Sequence, residues 1–211
     1  MINYQSVGPM ITTDILCRCL MVIPFIIFAL LLTHISLKRT PKYRKESMLN
    51  IPCMSVALLT AAYMYFFFGS FLFVVKGIVL TVLFIYASVC DYRERKVPDC
   101  ISVMVMLVGL IAVKPIDILF RLAATIVVFA FLLLFACLKK SKIGGADIKF
   151  SSACCFVVGL MKGIDAVIIG LALSVICTLI RNRILKSKDW SLPLIPYLSI
   201  GFMTVILIGG F

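Results

Sequence analysis

The sequence predicts an all-α, polytopic membrane protein, and three observations support this fold class. Hydrophobic residues make up 63% of the 211 residues and charged residues only 14%, against about half and about a quarter in soluble domains. The mean hydropathy is +1.17. The apolar stretches are continuous, whereas strands of a membrane β-barrel alternate between lipid-facing and lumen-facing residues. We therefore expect a single transmembrane domain over residues 1–211, without a large domain outside the membrane.

Eight apolar runs give the expected number of helices in the bundle. About 20 apolar residues cross a bilayer as one helix. Turn signals separate neighbouring runs at Gly69–Ser70, at Lys114, Pro115 and Asp117, and at Lys162, Gly163 and Asp165. Two runs, near 100–113 and 150–161, are shorter than a usual crossing, so we expect them either to start inside the cytoplasmic interface or to be extended by loop residues. The other runs lie near 16–37, 51–68, 71–90, 116–138, 164–180 and 190–210.

The distribution of basic residues predicts the orientation of these helices. The net charge is +12, and 16 of the 21 Lys and Arg residues fall in four clusters, with two apolar runs between consecutive clusters. By the positive-inside rule the clusters lie in the cytoplasm, which places both termini outside it. We therefore expect contacts with membrane lipids and none with nucleic acid. The clusters contain Lys38, Arg39, Lys42, Arg44 and Lys45, then Arg93, Arg95 and Lys96, then Lys139, Lys140, Lys142 and Lys149, and finally Arg181, Arg183, Lys186 and Lys188.

Five basic residues lie outside these clusters, near the opposite ends of the apolar runs. Long basic side chains in such positions can extend to the membrane interface, and we expect this behaviour of them. They are Arg18, Lys76, Lys114, Arg121 and Lys162.

The nine cysteines predict neither a disulfide framework nor a metal site. Their number is odd, and no two of them form a CxxC pair. Most lie within apolar runs, where cysteine behaves as a small hydrophobic residue. We expect no metal ion and no cofactor.

Three of the nine acidic residues stand out, because a carboxylate near a membrane is costly without a partner or a function. Asp91 ends an apolar run of about 20 residues, where the helix dipole disfavours a negative charge. Asp99 follows Pro98 and opens the next helix, so we expect it to be an N-cap. Asp147 lies in the segment KIGGADIKF, after two glycines.

Asp91 and Asp147 are candidates for a general acid–base pair. Both are expected at the same membrane face, on helices that can pack together. When two carboxyl groups share a proton, their pKa values separate, so one group is ionised while the other keeps its proton. The ionised group can then activate a water molecule, while the protonated group protonates a leaving group. From the residues alone, two unrelated interfacial carboxylates explain the pattern equally well.

Three segments, in order and spacing, resemble the signatures of type IV prepilin peptidases. They are DYRERKVPDCI, KIGGADIKFSSACCFVVGL and LPLIPYLSIGF. The family has an aspartate followed by a basic loop and an Ile/Val-Pro-Asp, then a GxGD-x-K segment, then a proline-containing final helix. The resemblance covers roughly residues 71–211 and implies a GxGD-type membrane aspartyl peptidase.

Carried over position by position, the resemblance implies that Asp91 and Asp147 are the catalytic pair. Gly144 corresponds to the first glycine of GxGD and Lys149 to the lysine that follows the motif. Ala146 departs from the family, since it stands where the second glycine would be. Alanine disfavours positive φ angles, so the backbone just before Asp147 is the point at which this chain is expected to differ.

The resemblance also suggests roles for residues around the pair. Gly144 and Gly145 would give the backbone of this active-site loop its flexibility. Lys149 would stabilise the ionised form of Asp147, bind lipid phosphate or simply reach the interface. Glu94 or Asp99 would meet the positive charge of a basic leader peptide.

The activity implied is removal of the basic leader from pilin, Tad/Flp-like or pseudopilin precursors. The active site would face the cytoplasm in the bacterial inner membrane. Larger family members carry a cytoplasmic loop with paired CxxC motifs for zinc, together with N-methyltransferase activity. Here the corresponding segment is KRTPKYRKESMLN, without cysteine. We therefore expect a compact peptidase without methyltransferase activity.

Two other functions compete with this interpretation. A membrane cysteine peptidase would use His34 as the base and Cys90, Cys100 or Cys137 as the nucleophile. A small transporter or structural subunit would carry charged residues at mid-depth or repeated broken helices. The ionisable residues of this chain cluster at helix ends instead, which favours the peptidase.

Overall fold

The computed structural model describes residues 23–24, 26–27, 29–35, 50–68, 70–139, 144–185 and 193–211, and the secondary structure in these ranges is helical. The prediction of an all-α fold is thereby confirmed for the described residues. We name the helical residues within 23–35 α1. The other helices are α2 (Asn50–Phe68), α3 (Phe71–Glu94), α4 (Asp99–Gly109), α5 (Pro115–Lys139), α6 (Gly145–Val158), α7 (Leu160–Leu185) and α8 (Ile195–Gly209).

Long and short helices alternate along the chain from α3 to α8. Among the described residues, three helices are long and apolar enough to cross a membrane, over Phe71–Glu94, Pro115–Leu138 and Leu160–Ile184. Three shorter apolar helices cover Pro52–Phe67, Asp99–Gly109 and Ile195–Gly209. An α-helix rises 1.5 Å per residue, so the 11 residues of α4 reach only about 16 Å. Eight complete crossings and the sides of the termini stay predictions, and half of the first predicted crossing lies outside the described residues.

Two of the three predicted turns lie where the sequence places them. Helix α2 ends at Phe68 and α3 begins at Phe71, while Pro115 is the first residue of α5. A proline at that position costs little, since the first amide of a helix has no intrahelical partner.

The third predicted turn, at Lys162, Gly163 and Asp165, is wrong. These residues lie inside α7, and the chain turns earlier, at Gly159. Gly159 has φ +86°, a conformation that glycine adopts without steric cost, so α6 ends there and α7 begins at the next residue.

Helix α6 is the most enclosed element of the bundle. It packs against α4, α5, α7 and α8. Of its 14 residues, Ile148 and every residue from Phe150 to Val158 are buried. The long helices α5 and α7 bury only 11% and 22% of their most apolar segments, so they present most of their surface to lipid. The continuous hydrophobicity of the sequence therefore has two causes, an enclosed central helix and lipid-facing helices around it.

Helices α7 and α8 lie unusually close together because glycines meet at their interface. A Cβ atom added at Gly201 would clash with the backbone of Ala166 and Gly170. A Cβ atom added at Gly170 would in turn approach the backbone of Tyr197 and Leu198. This contact fixes the position of α8, and with it the start of that helix.

Basic side chains bind the carboxyl-terminal ends of the short helices α4, α6 and α8. The Lys76 ammonium donates hydrogen bonds to the carbonyls of Gly109 (3.2 Å) and Ile111 (3.1 Å), just at and after the end of α4. The expectation that Lys76 reaches the interface is wrong, since its side chain is 0% exposed. The last carbonyls of a helix lack intrahelical partners, and in an apolar medium each unpaired carbonyl is costly.

Arg121 and Lys162 make the same kind of contact. Arg121 of α5 donates to the carbonyls of Phe156 (3.3 Å) and Val157, in the last turn of α6. Lys162 of α7 donates to the carbonyls of Gly209 (2.7 Å) and Gly210 (3.0 Å) at the end of α8. Each long helix thus provides the cap for one short helix.

We expect Lys76→Met to lower the unfolding free energy by about 2–4 kcal/mol, because two carbonyls at the end of α4 lose a charged donor. Thermal unfolding in detergent measures the effect. Lys114→Met is the matched control, since Lys114 is exposed. Equal melting temperatures for the two variants would contradict the capping role of Lys76.

Candidate active site

Asp91 lies one turn before the end of α3, and its environment includes the start of the final helix. Its side chain is buried, and its Oδ2 accepts a hydrogen bond of 3.0 Å from the backbone N–H of Ile195. Ile195 is the first residue of α8, and Pro196 is the second. The amino-terminal end of a helix carries a partial positive charge and unpaired N–H donors. The dipole of α8 therefore compensates the unfavourable position of Asp91 at the end of its own helix.

The contact between Ile195 and Asp91 could not be predicted from side-chain identities, since the donor is a backbone amide. The segment LPLIPYLSIGF is one of the three sequence signatures, but the motif by itself does not indicate a role for its individual residues. The signal within it is Pro196, which favours the first turn of a helix. The segment acts by placing a helix start against Asp91.

Asp147 lies in the first turn of α6, ahead of the apolar part of that helix. Its carboxylate Oδ2 accepts a hydrogen bond of 3.2 Å from the N–H of Gly144, the N-cap residue. A Cβ atom at position 144 would come within 3.0 Å of that oxygen, so glycine leaves room for the carboxylate. The first turn of a helix also favours a negative charge.

Neither Gly145 nor Ala146 gives the backbone before Asp147 an unusual conformation. Both residues lie in α6 with helical backbone conformation, and Ala146 has no positive φ angle. Alanine suits a helix better than glycine does, so Ala146 in place of the motif glycine fits this backbone. Gly144 has φ −67° and ψ 140°, an extended conformation that does not require glycine. The glycine at 144 thus provides space rather than unusual backbone angles.

The charge of Asp91 acts on the carboxyl group of Asp147. Burial and the charge of Asp91 raise the pKa of Asp147 to about 6, against the opposing effect of the Gly144 N–H. Asp91 is thus near enough to Asp147 to act on its charge, and the role of the two aspartates as a catalytic pair stays a prediction. A carboxyl group that titrates near neutral pH can hold and release a proton under physiological conditions.

Asp99 and Lys149 form an ion pair, which the sequence did not predict. The Lys149 ammonium lies 2.9 Å from both carboxylate oxygens of Asp99. The prediction that Asp99 is an N-cap is wrong, because Pro98 occupies that position and Asp99 is the first residue of α4. The sequence suggests Asp147, lipid phosphate or the interface as the partner of Lys149; the carboxylate that it binds is that of Asp99, and its contact with lipid stays a prediction. The pair joins the start of α4 to the first turns of α6.

Glu94 is the last residue of α3 and is exposed. The following residue, Arg95, ends the helix with φ 50°, and its N–H donates to the carbonyl of Asp91. The basic loop therefore begins beside Asp91. Whether Glu94 or Asp99 contacts a leader peptide stays a prediction.

An apolar cavity of about 510 Å³ opens next to Asp147. Helices α5, α6, α7 and α8 line it, and its polar side chains are those of Asp147 and Ser151. The site can therefore offer a carboxyl group to an apolar ligand.

The competing cysteine site finds no support in the geometry. His34 is exposed, Cys90 is buried, and Cys100 and Cys137 are exposed. Within the described part of the chain, no hydrogen bond joins His34 to a cysteine. The described residues also contain no group of three or more His, Cys, Asp or Glu side chains that could hold a metal ion; the absence of a cofactor stays a prediction.

The apolar helical bundle and its carboxyl groups define a class, a membrane protein with a candidate acid–base site at one end. The model of the type IV leader peptidase family matches residues 78–180, just under half of the chain. The matched segment contains Asp91, Asp99, Asp147 and Lys149. The resemblance drawn from the sequence motifs is thereby confirmed, and this segment belongs to the type IV leader peptidase family. No curated protein and no solved structure matches the chain significantly.

We expect Asp147→Asn to change how thermal stability depends on pH. Folding raises the pKa of Asp147 from 3.8 to about 6, so the folded protein holds this proton more tightly than the unfolded chain does. The resulting stabilisation is fully present below about pH 4 and is lost as the pH rises through about 6. Asparagine stays neutral, so the variant should gain melting temperature relative to wild type across this range. A constant difference between the two proteins would contradict the raised pKa.

A double-mutant cycle tests the ion pair between Asp99 and Lys149. We expect Asp99→Asn and Lys149→Gln to be non-additive, with a coupling energy of about 0.5–1 kcal/mol, because the pair is largely exposed. Thermal or denaturant unfolding measures it. Asp165→Asn combined with Lys149→Gln is the control and should be additive, since Asp165 lies near the start of α7, at the other end of the bundle. Additive effects in the first cycle would count against the pair.

Proposed function

We propose that the chain is a membrane aspartyl endopeptidase that removes the basic leader from type IV prepilin-like precursors. The interaction between the two carboxyl groups carries this proposal, since the charge of Asp91 helps to raise the pKa of Asp147. The family assignment supports a leader peptidase-like activity. The basic clusters, which follow the positive-inside rule, favour cleavage at the cytoplasmic face of the bacterial inner membrane.

The two carboxyl groups would act in opposite protonation states. The Ile195 N–H and the start of α8 favour a negative charge on Asp91, against the opposing effect of its burial. Burial and that charge favour a proton on Asp147. Asp91 would accept a proton from water as the water oxygen attacks the scissile carbonyl carbon. Asp147 would then donate its proton to the leaving nitrogen as the carbon–nitrogen bond breaks.

The surroundings of the site suit a peptide with two chemically different parts. The basic loop that follows α3 and the exposed Glu94 and Asp99 lie at one side of the pair. The apolar cavity beside Asp147 lies between helices that face lipid. A precursor with a charged leader and an apolar segment would place its cleavage site between these two environments.

We expect Asp91→Asn and Asp147→Asn each to reduce leader removal by at least about 100-fold, because each removes a group that transfers a proton. Co-expression with a candidate prepilin, scored by gel shift, measures the processing. Asp165→Asn and His34→Ala serve as controls and should process normally. Full processing by either aspartate variant would overturn the aspartyl mechanism, while loss of processing in His34→Ala would favour the cysteine peptidase.

A further inference from the structure

The wall of the cavity beside Asp147 contains a serine hydroxyl that has no hydrogen-bond partner among the described residues. Ser151 lies one helical turn after Asp147 on α6, lines the same cavity and is only 2% exposed. Among the residues that the structure describes, none forms a hydrogen bond with its hydroxyl. The hydroxyl oxygen is not among the fully buried unpaired atoms of the described chain, so it is accessible from the cavity and free to pair with a group inside it.

The other buried Ser and Thr residues of the described chain are hydrogen-bonded. Ser152, next to Ser151, donates to the carbonyl of Lys149 at 2.9 Å. Ser199 accepts a hydrogen bond from Ser88. The remaining members, Thr33, Thr81 and Thr178, each donate to the carbonyl four residues earlier in the same helix. Ser151 differs from all of them.

A second cavity in the bundle provides an internal comparison. It also has a volume of about 510 Å³ and lies between α2, α3 and α8. Its five Ser and Thr side chains are all satisfied within the protein, and neither Asp91 nor Asp147 lines it. A cavity of this kind suits a lipid acyl chain, which has no polar group that needs a hydrogen-bond partner.

We propose that the cavity beside Asp147 binds the apolar peptide segment that adjoins the scissile bond, with the Ser151 hydroxyl hydrogen-bonded to the backbone of that segment. This inference rests on the proposed function, since it names the part of the substrate that the site holds. A peptide must be unwound to be cut, and an unwound backbone in an apolar medium needs hydrogen-bond partners. Ser151 provides one partner a single turn away from the carboxyl group that acts on the scissile bond.

The neighbouring serines give a matched pair of variants. We expect Ser151→Ala to raise KM for a precursor that the wild-type chain processes by about three- to tenfold, with little change in kcat, because a binding contact is lost. Ser152→Ala should change KM by less than about twofold, since its hydroxyl serves only its own helix. Equal KM values for the two variants would overturn the role of Ser151.

Photo-crosslinking tests occupancy of the cavity without relying on activity. Ile168 and Ile200 are both exposed isoleucines, and each lines one of the two cavities. A photoreactive phenylalanine analogue is placed at either position in the Asp147→Asn chain, which is expected to bind the precursor without cutting it. We expect crosslinks from position 168 to the apolar segment of the precursor, and none from position 200. Crosslinks from both positions, from neither, or to lipid alone would overturn the inference.

The two proposals fail in different ways. If Asp147→Asn processes the precursor fully, the proposed mechanism is wrong whatever the crosslinking shows. If wild type cuts the precursor, both aspartate variants do not, and position 168 gives no crosslink, then the mechanism stands and the cavity inference falls.

Discussion

The ends of three short helices impose the main physical constraint on this bundle. Helices α4, α6 and α8 contain 11, 14 and 15 residues, fewer than a bilayer crossing usually needs. Their terminal N–H and carbonyl groups therefore need partners at depths where water is scarce. Aspartates lie at the amino-terminal ends, with Asp99 and Asp147 in first turns and Asp91 against the start of α8. Lys76, Arg121 and Lys162 lie at the carboxyl-terminal ends.

The same constraint explains why the candidate site lies where it does. Satisfying the amino-terminal ends of the short helices brings the acidic side chains to one end of the bundle, close enough for Asp91 to affect Asp147. The long helices supply the basic caps from the opposite end. An arrangement required for folding in an apolar medium therefore also brings together the two carboxyl groups that we propose for acid–base chemistry.

Much of this could be predicted from the sequence, because composition and periodicity depend on local properties of the chain. The helical class, the turns before Phe71 and Pro115, and the family followed from apolar runs and motif spacing. The ion pair between Asp99 and Lys149 and the burial of Lys76 could not be predicted in this way, because they depend on which helices pack together. The sequence does not predict the turn at Gly159 for a related reason. A lysine between two apolar runs is typical of a loop, whereas Lys162 caps α8 from within a helix.

The hydrogen bond from the Ile195 amide to Asp91 affects which substitutions this site tolerates during evolution. A main-chain donor is present whatever side chain the residue carries, proline excepted. Substitutions at position 195 can therefore accumulate without removing the donor, as long as α8 still begins there. The segment that matches the family ends at residue 180, so the donor lies outside it. A fragment cut at that boundary would keep both aspartates and lose the group that holds one of them.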